Sequence, residues 1–171
     1  MCIRDRAYTI LYYVGLRINE IRQLKQIDID NAISAGQFNL VHYKNKQAHI
    51  HVLSAKAVQD LKKLQLEFST VFSQYKYNYL FGKEKPISKE TLIRNINKDL
   101  KNTSEICQLP YNIKSHSFRI NFISNLLRIT TLQNTADIIG HKDVKSTMSY
   151  KRYSLSKKEI EELLQKIQEG N

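Results

Sequence analysis

Ala136-Asp-Ile-Ile-Gly-His-Lys-Asp-Val-Lys-Ser-Thr-Met-Ser-Tyr150 is the stretch around which the rest of the chain is organised. A short apolar run stops at Gly140, His141 follows, and Tyr150 comes nine residues later. Glycine takes the left-handed conformation that ends a helix without steric cost, so Gly140 reads as a helix stop. The Lys-, Ser- and Thr-rich residues after it read as a polar loop before a short helical turn. A His and a Tyr are thereby placed at the edges of ordered elements, facing a basic surface, an arrangement that suits chemistry on a phosphate. Alone the stretch decides little, because helices ending in Gly-His are common and Tyr is frequent on half-buried surfaces.

Two upstream motifs add weight: Gly15-Leu-Arg17-Ile-Asn-Glu20-Ile and His116-Ser-Phe-Arg119. Cleaving a phosphodiester without a metal needs a nucleophile, a base for it, cations on the non-bridging oxygens and an acid for the leaving oxygen. Tyr150 can be the nucleophile, since a phenol forms a covalent phosphoester. Arg17 and Arg119 offer forked, permanently charged donors that match phosphate oxygens. His141 can donate to a non-bridging oxygen, and His116 is a candidate base for the phenol. Glu20, three residues after Arg17, shares its helical face. Tyr153 rivals Tyr150 as nucleophile; the spacing from His141 favours Tyr150.

In order and spacing these three motifs resemble the catalytic domain of tyrosine recombinases, the phage integrase family, from about Arg4 to Ile167. The resemblance implies that Arg17 is the first family arginine, His116 with Arg119 the His-x-x-Arg pair, His141 the second histidine position and Tyr150 the nucleophile. Glu20 matches an acidic position that supports the site. The family also places a general-acid lysine in a hairpin turn; Lys44 is the better match and Lys46 the runner-up. Val52 stands where members often carry Pro, and the Lys151-Arg152-Tyr153 continuation is more basic than usual. A separate helical DNA-clamping domain usually precedes this point, so the expectation is a single catalytic domain over 1–171, either a fragment or a reduced member.

Composition agrees with a polyanionic partner: 27 Lys and Arg against 16 Asp and Glu give a net charge of +11. Lys142, Lys145, Lys151 and Arg152 are the candidate DNA contacts, although any one basic group is commonly just a solvated face. Two cysteines form no disulfide framework, which fits an intracellular setting. The apolar run after Arg6 is too short to span a bilayer and lacks a cleavage site, so the expectation is a soluble protein with no membrane role. His42, His49 and His51 have no Cys or carboxylate cluster beside them, and no metal or other cofactor is expected.

The expected fold is mainly α with a small antiparallel β-sheet (α+β). Helices are predicted over 4–14, apolar nearly all round and so buried, and 18–25, broken at Gly15, with turn chemistry at Asp28-Ile-Asp-Asn31 and Gly36. A hairpin follows (Phe38–Tyr43 and His49–Leu53), then a helix over 55–68 and an irregular stretch over 69–87 with a buried patch at Tyr79–Phe81. Ser88 is expected to cap a helix to about Lys101, Ser115 one over 116–129, and a short helix to run from Thr135 to Ile139. Ser156-Lys-Lys-Glu159 is a capping-box pattern opening a helix over 156–169, with Ile160, Leu163, Leu164 and Ile167 on one face.

The function expected from the resemblance is site-specific DNA recombination or integration through a 3′-phosphotyrosine. Double-stranded DNA is the partner and four protomers assemble on it, with the last helix docking in cis or on a neighbour. The alternatives are a non-catalytic DNA-binding remnant of a mobile element and a topoisomerase IB-like relaxing enzyme.

Overall fold

The computed structural model describes residues 3–41, 47–151, 161–162 and 164–165. Helix α1 (Ile3–Val14) is its centre. Ile10, Leu11 and Val14 are buried, whereas Tyr12 is exposed on the outer face, so the helix is not buried all round. Its inner face packs chiefly against α7 (Ser115–Ile129), with Tyr8 stacked on Phe118 at 5.9 Å between ring centroids. The Tyr13 hydroxyl donates to Asp60 at 2.5 Å and so ties α1 to α4 (Ala55–Lys63). That bond to a carboxylate pushes the Tyr13 phenol up to about 12.

Gly15 turns the chain out of α1 at φ +61°, and a Cβ there would meet Phe122 of α7 at 2.5 Å. Both facts require glycine. Gly15→Ala combines left-handed strain with overpacking, and should lower unfolding stability by roughly 2–5 kcal/mol in a denaturant titration.

Helix α2 is a single turn, Ile18–Ile21, shorter than expected; Arg22 and Gln23 lie beyond it. The expected turn at 28–31 is instead inside α3 (Gln26–Ser34). Asp28 accepts from the Lys25 amide at 2.8 Å, so the residue read as a turn signal caps this helix. Ile29 and Ala32 supply its buried face. Gly36 does turn, at φ +66°, into β1 (Gln37–Val41), which pairs antiparallel with β2 (Ala48–Val52) from Gln37 opposite Val52 to Val41 opposite Ala48. The turn between the strands, with Lys44 and Lys46, lies outside the described residues. His49 Nε2 lies 3.1 Å from the Ile138 carbonyl and fastens β2 to α8 (Leu132–Ile139).

The helix expected over 55–68 is interrupted at Leu64, giving α4 and α5 (Gln65–Ser69) with a π-helical turn after it. Leu80 and Phe81 are buried as expected. Ser88 caps α6 (Lys89–Ile106), accepting from the Thr91 amide at 3.1 Å, and that helix runs past Lys101. The cap of α7 is Lys114 rather than Ser115, with Ser117 accepting from the Lys114 amide and Asn97 of α6 from the Ser115 amide. Helix α8 starts three residues before Thr135, capped by Thr131. Of the apolar stripe expected near the C-terminus, Leu164 is described and exposed; Ser156, Ile160, Leu163 and Ile167 lie outside the described residues. Among the described residues no helix is long and apolar enough to cross a membrane.

Candidate active site

Five sequence-predicted residues line one cleft of about 800 Å³: Arg17, Glu20, His116, Arg119 and Tyr150; His141 borders a neighbouring depression instead. They come from the start of α2, the first two turns of α7 and the end of α9 (Val144–Met148). Each arrives by a local feature of the sequence. Arg17 sits at the N-cap of α2, two residues after the Gly15 turn. Its guanidinium Nη1 donates to Glu20 Oε1 at 3.0 Å, and its amide donates to Glu20 Oε2 at 2.8 Å. The Glu20 side chain is 2% exposed and that of Arg17 is 32% exposed, so a buried carboxylate aims a guanidinium that remains open to the cleft. Glu20→Ala leaves the Arg17 amide and fork without this acceptor. It should lower stability by about 1–3 kcal/mol, read by thermal melting.

Arg119 is 2% exposed. Nη1 donates to the Gly15 carbonyl at 2.5 Å, and Nη2 lies 2.9 Å from His141 Nε2. The turn that positions Arg17 therefore also holds Arg119. Burial lowers the Arg119 guanidinium below its ordinary value and the nearby charge of Arg17 lowers it further, while Glu20 and hydrogen bonding to Tyr150 oppose the shift. Two cations share one cleft against their mutual repulsion, and an anion between them would relieve it.

Gly140 ends α8 as expected, at φ 65°, ψ 41°. The His141 amide donates to the Ala136 carbonyl at 2.9 Å and the Gly140 amide to that of Asp137 at 3.2 Å, the Schellman pattern that fixes the residue after the glycine. His141 thus stands beside Arg119, 5.9 Å from the Tyr150 ring; the exposed His116 ring is 6.0 Å from the same ring.

Two supporting residues escaped the sequence reading. Ser124 of α7 donates to the Tyr150 carbonyl at 3.0 Å, and Thr147 of α9, fully buried, contacts His141 Nδ1 at 2.9 Å. Thr147 lies three residues before Tyr150, a helical spacing that could have signalled it; nothing local marks Ser124. Among the candidate DNA contacts, Lys142, Lys145 and Lys151 are exposed and do not line the main cleft. Lys142 instead borders a smaller depression of about 310 Å³ with His49 and His141. Arg152, the alternative nucleophile Tyr153 and both candidate lysines lie outside the described residues.

The sequence profile of the phage integrase family matches residues 2–157. Among curated proteins, a tyrosine recombinase of Pseudothermotoga lettingae is 24% identical over 95% of this chain and 53% of its own length. The tyrosine recombinase XerC of Rickettsia canadensis is 26% identical over 90% of this chain and 48% of its own. The chain spans about half the length of these relatives. The crystal structure of XerA recombinase superposes with a TM-score of 0.70 at 22% identity, covering 99% of this chain and 59% of that one. XerH site-specific recombinase bound to its difH substrate gives 0.68 at 21% identity, covering 98% and 47%. A mainly helical domain with a small antiparallel sheet and that shared architecture, matched by the family's profile along nearly the whole sequence, place this chain in the phage integrase family.

Proposed function

We propose that this chain is the catalytic part of a site-specific DNA recombinase that cuts and rejoins strands through a 3′-phosphotyrosine on Tyr150. The observation that carries the reading is that Arg17, His116, Arg119 and Tyr150 line one cleft although they lie as far apart in sequence as residues 17 and 150. The relatives are named tyrosine recombinases, and XerH was captured on its DNA substrate, which supports duplex DNA as the partner. The net charge of +11 points the same way. Four protomers acting on paired sites, inside the cell, complete the proposal.

In the reaction the Tyr150 oxygen attacks the scissile phosphorus, the tyrosyl–phosphate bond forms and the bond to the 5′ oxygen breaks. Arg17 and Arg119 hold the non-bridging oxygens, where preorganised donors act on charge that builds in the transition state. His141 donates to the same phosphate. His116 takes the phenolic proton, and Lys44, with Lys46 as the alternative, gives a proton to the leaving 5′ oxygen. Attack by a 5′-hydroxyl on the phosphotyrosine reverses each step and restores the phenol. None of these roles calls on a metal, so adduct formation should persist in EDTA.

The test is a pool of nicked duplexes with randomised core sequence, from which the cleaved 5′-hydroxyl fragment escapes and leaves the protein trapped. A species that survives denaturing electrophoresis and carries DNA supports the reading. Binding in a mobility shift with no such species counts against it.

A further inference from the structure

Thr147 has no assigned part in the chemistry, yet it is completely buried and touches the imidazole that faces Arg119. The protons on that ring follow from its neighbours. A guanidinium carries five N–H donors and no acceptor, so the 2.9 Å contact from Arg119 Nη2 requires a lone pair on His141 Nε2. A neutral imidazole with its lone pair on Nε2 carries its proton on Nδ1, and Thr147 Oγ1 lies 2.9 Å from that nitrogen. The ring is thereby gripped at both ends: Nε2 accepts from Arg119 and Nδ1–H donates to Thr147.

We infer that Thr147 is a positioning residue for the proposed cleavage, accepting the His141 Nδ1–H so that Nε2 is turned to Arg119 and the phosphate. The inference deepens the recombinase reading and rests on it for its consequence, though not for its geometry. The contact serves the ring in both charge states. When an incoming phosphate oxygen takes the place of the Nε2–Arg119 contact, His141 donates through Nε2 only as the imidazolium, whose Nδ1–H still points at Thr147. Second partners of this kind fix both tautomer and orientation of a working histidine.

Thr147 also connects the ring to the nucleophile. Its carbonyl accepts from the Tyr150 amide at 3.0 Å, so one residue sets the imidazole by its side chain and the phenol-bearing turn by its backbone. Ser124 holds the other side of that turn through the Tyr150 carbonyl. A purely structural role for Thr147, filling space beneath α9, would make its methyl matter and its hydroxyl indifferent.

Thr147→Val keeps the shape and removes the acceptor; Thr147→Ser keeps the hydroxyl and removes the methyl. The ring nitrogens of His141, followed by ¹⁵N NMR on the DNA-free protein, should show Nδ1–H with an Nε2 lone pair in the parent and in Thr147→Ser. In Thr147→Val, Arg119 still requires the lone pair on Nε2, so the Nδ1–H form should persist but lose its hydrogen-bonded shift and exchange faster with solvent. Adduct formation should fall roughly ten- to hundredfold in Thr147→Val, the loss typical of removing such a supporting partner, with DNA affinity retained, and Thr147→Ser should recover it. A parent protein with the Nε2–H tautomer overturns the inference, and so does a valine variant whose Nδ1–H shift, solvent exchange and adduct rate match the parent. Serine failing as badly as valine also overturns it. The NMR result is obtained without DNA or turnover, so it stands even if the chain forms no adduct. Loss of the adduct reaction in the parent would sink the recombinase reading alone.

Discussion

On the proposed reading, Tyr150→Phe should abolish the covalent protein–DNA species and leave DNA binding in place. The substitution removes one oxygen and leaves the ring 6.0 Å from that of His116 and 5.9 Å from that of His141. The backbone of the residue stays tied to Thr147 and Ser124, since those bonds use its amide and carbonyl. The hydroxyl also interacts with Arg119, and its loss removes about 0.5–1.5 kcal/mol from the folded state. That should leave the domain folded but without the proposed nucleophile. Tyr153→Phe, made in parallel, should form the adduct at the parental rate. Both proteins are to be compared on the same nicked duplex pool, with thermal melting to confirm the fold; an adduct that survives in Tyr150→Phe and disappears in Tyr153→Phe would reverse the assignment.

Arg119→Lys should reduce the rate of adduct formation by roughly 10²–10³-fold, the usual effect of removing one preorganised donor from a developing oxyanion. The substitution keeps the charge, so a loss of this size cannot be ascribed to net electrostatics. A guanidinium reaches the Gly15 carbonyl with one nitrogen and His141 with another from a single plane. An ammonium on a flexible stem has no such fork and cannot reproduce both contacts with one geometry. The effect should fall on the cleavage rate more than on DNA affinity, because Arg119 is buried and the exposed lysines remain available to the backbone. Single-turnover kinetics separates the two; a variant within a few-fold of the parental rate would mean that Arg119 holds the fold rather than the phosphate.

The legible parts of this protein were those where backbone stereochemistry leaves one solution. Gly140 adopts the left-handed conformation expected of it, Gly15 breaks the helices as expected and does so in the same conformation, and each sits beside site residues. Residue type and spacing singled out Arg17, His116, Arg119 and Tyr150, and the fold brings them to one cleft. Errors arose where one residue type serves two purposes. Asp28 was read as a turn residue and caps α3 instead; the burial of Ile29 and Ala32 decided between the two. Ser115 was read as a cap, but its amide is met by Asn97 of another helix, a partner 18 residues away that no local pattern announces. Ser124 was missed for the same reason: its partner, the Tyr150 carbonyl, is brought near only by tertiary packing. Lys44, Lys46, Arg152 and Tyr153 fall outside the described residues, so their roles remain as the sequence and the resemblance propose them.

Peptide mapping of the trapped adduct tests the nucleophile directly. Trypsin cuts after Lys145, Lys151 and Arg152, which separates Tyr150 in the peptide Ser146–Lys151 from Tyr153 in the peptide that follows Arg152. After nuclease digestion, the mass of a residual 3′-linked nucleotide should be found on Ser146–Lys151, at Tyr150. The same mass on the Tyr153 peptide, or DNA bound to the protein with no modified peptide, would contradict the assignment.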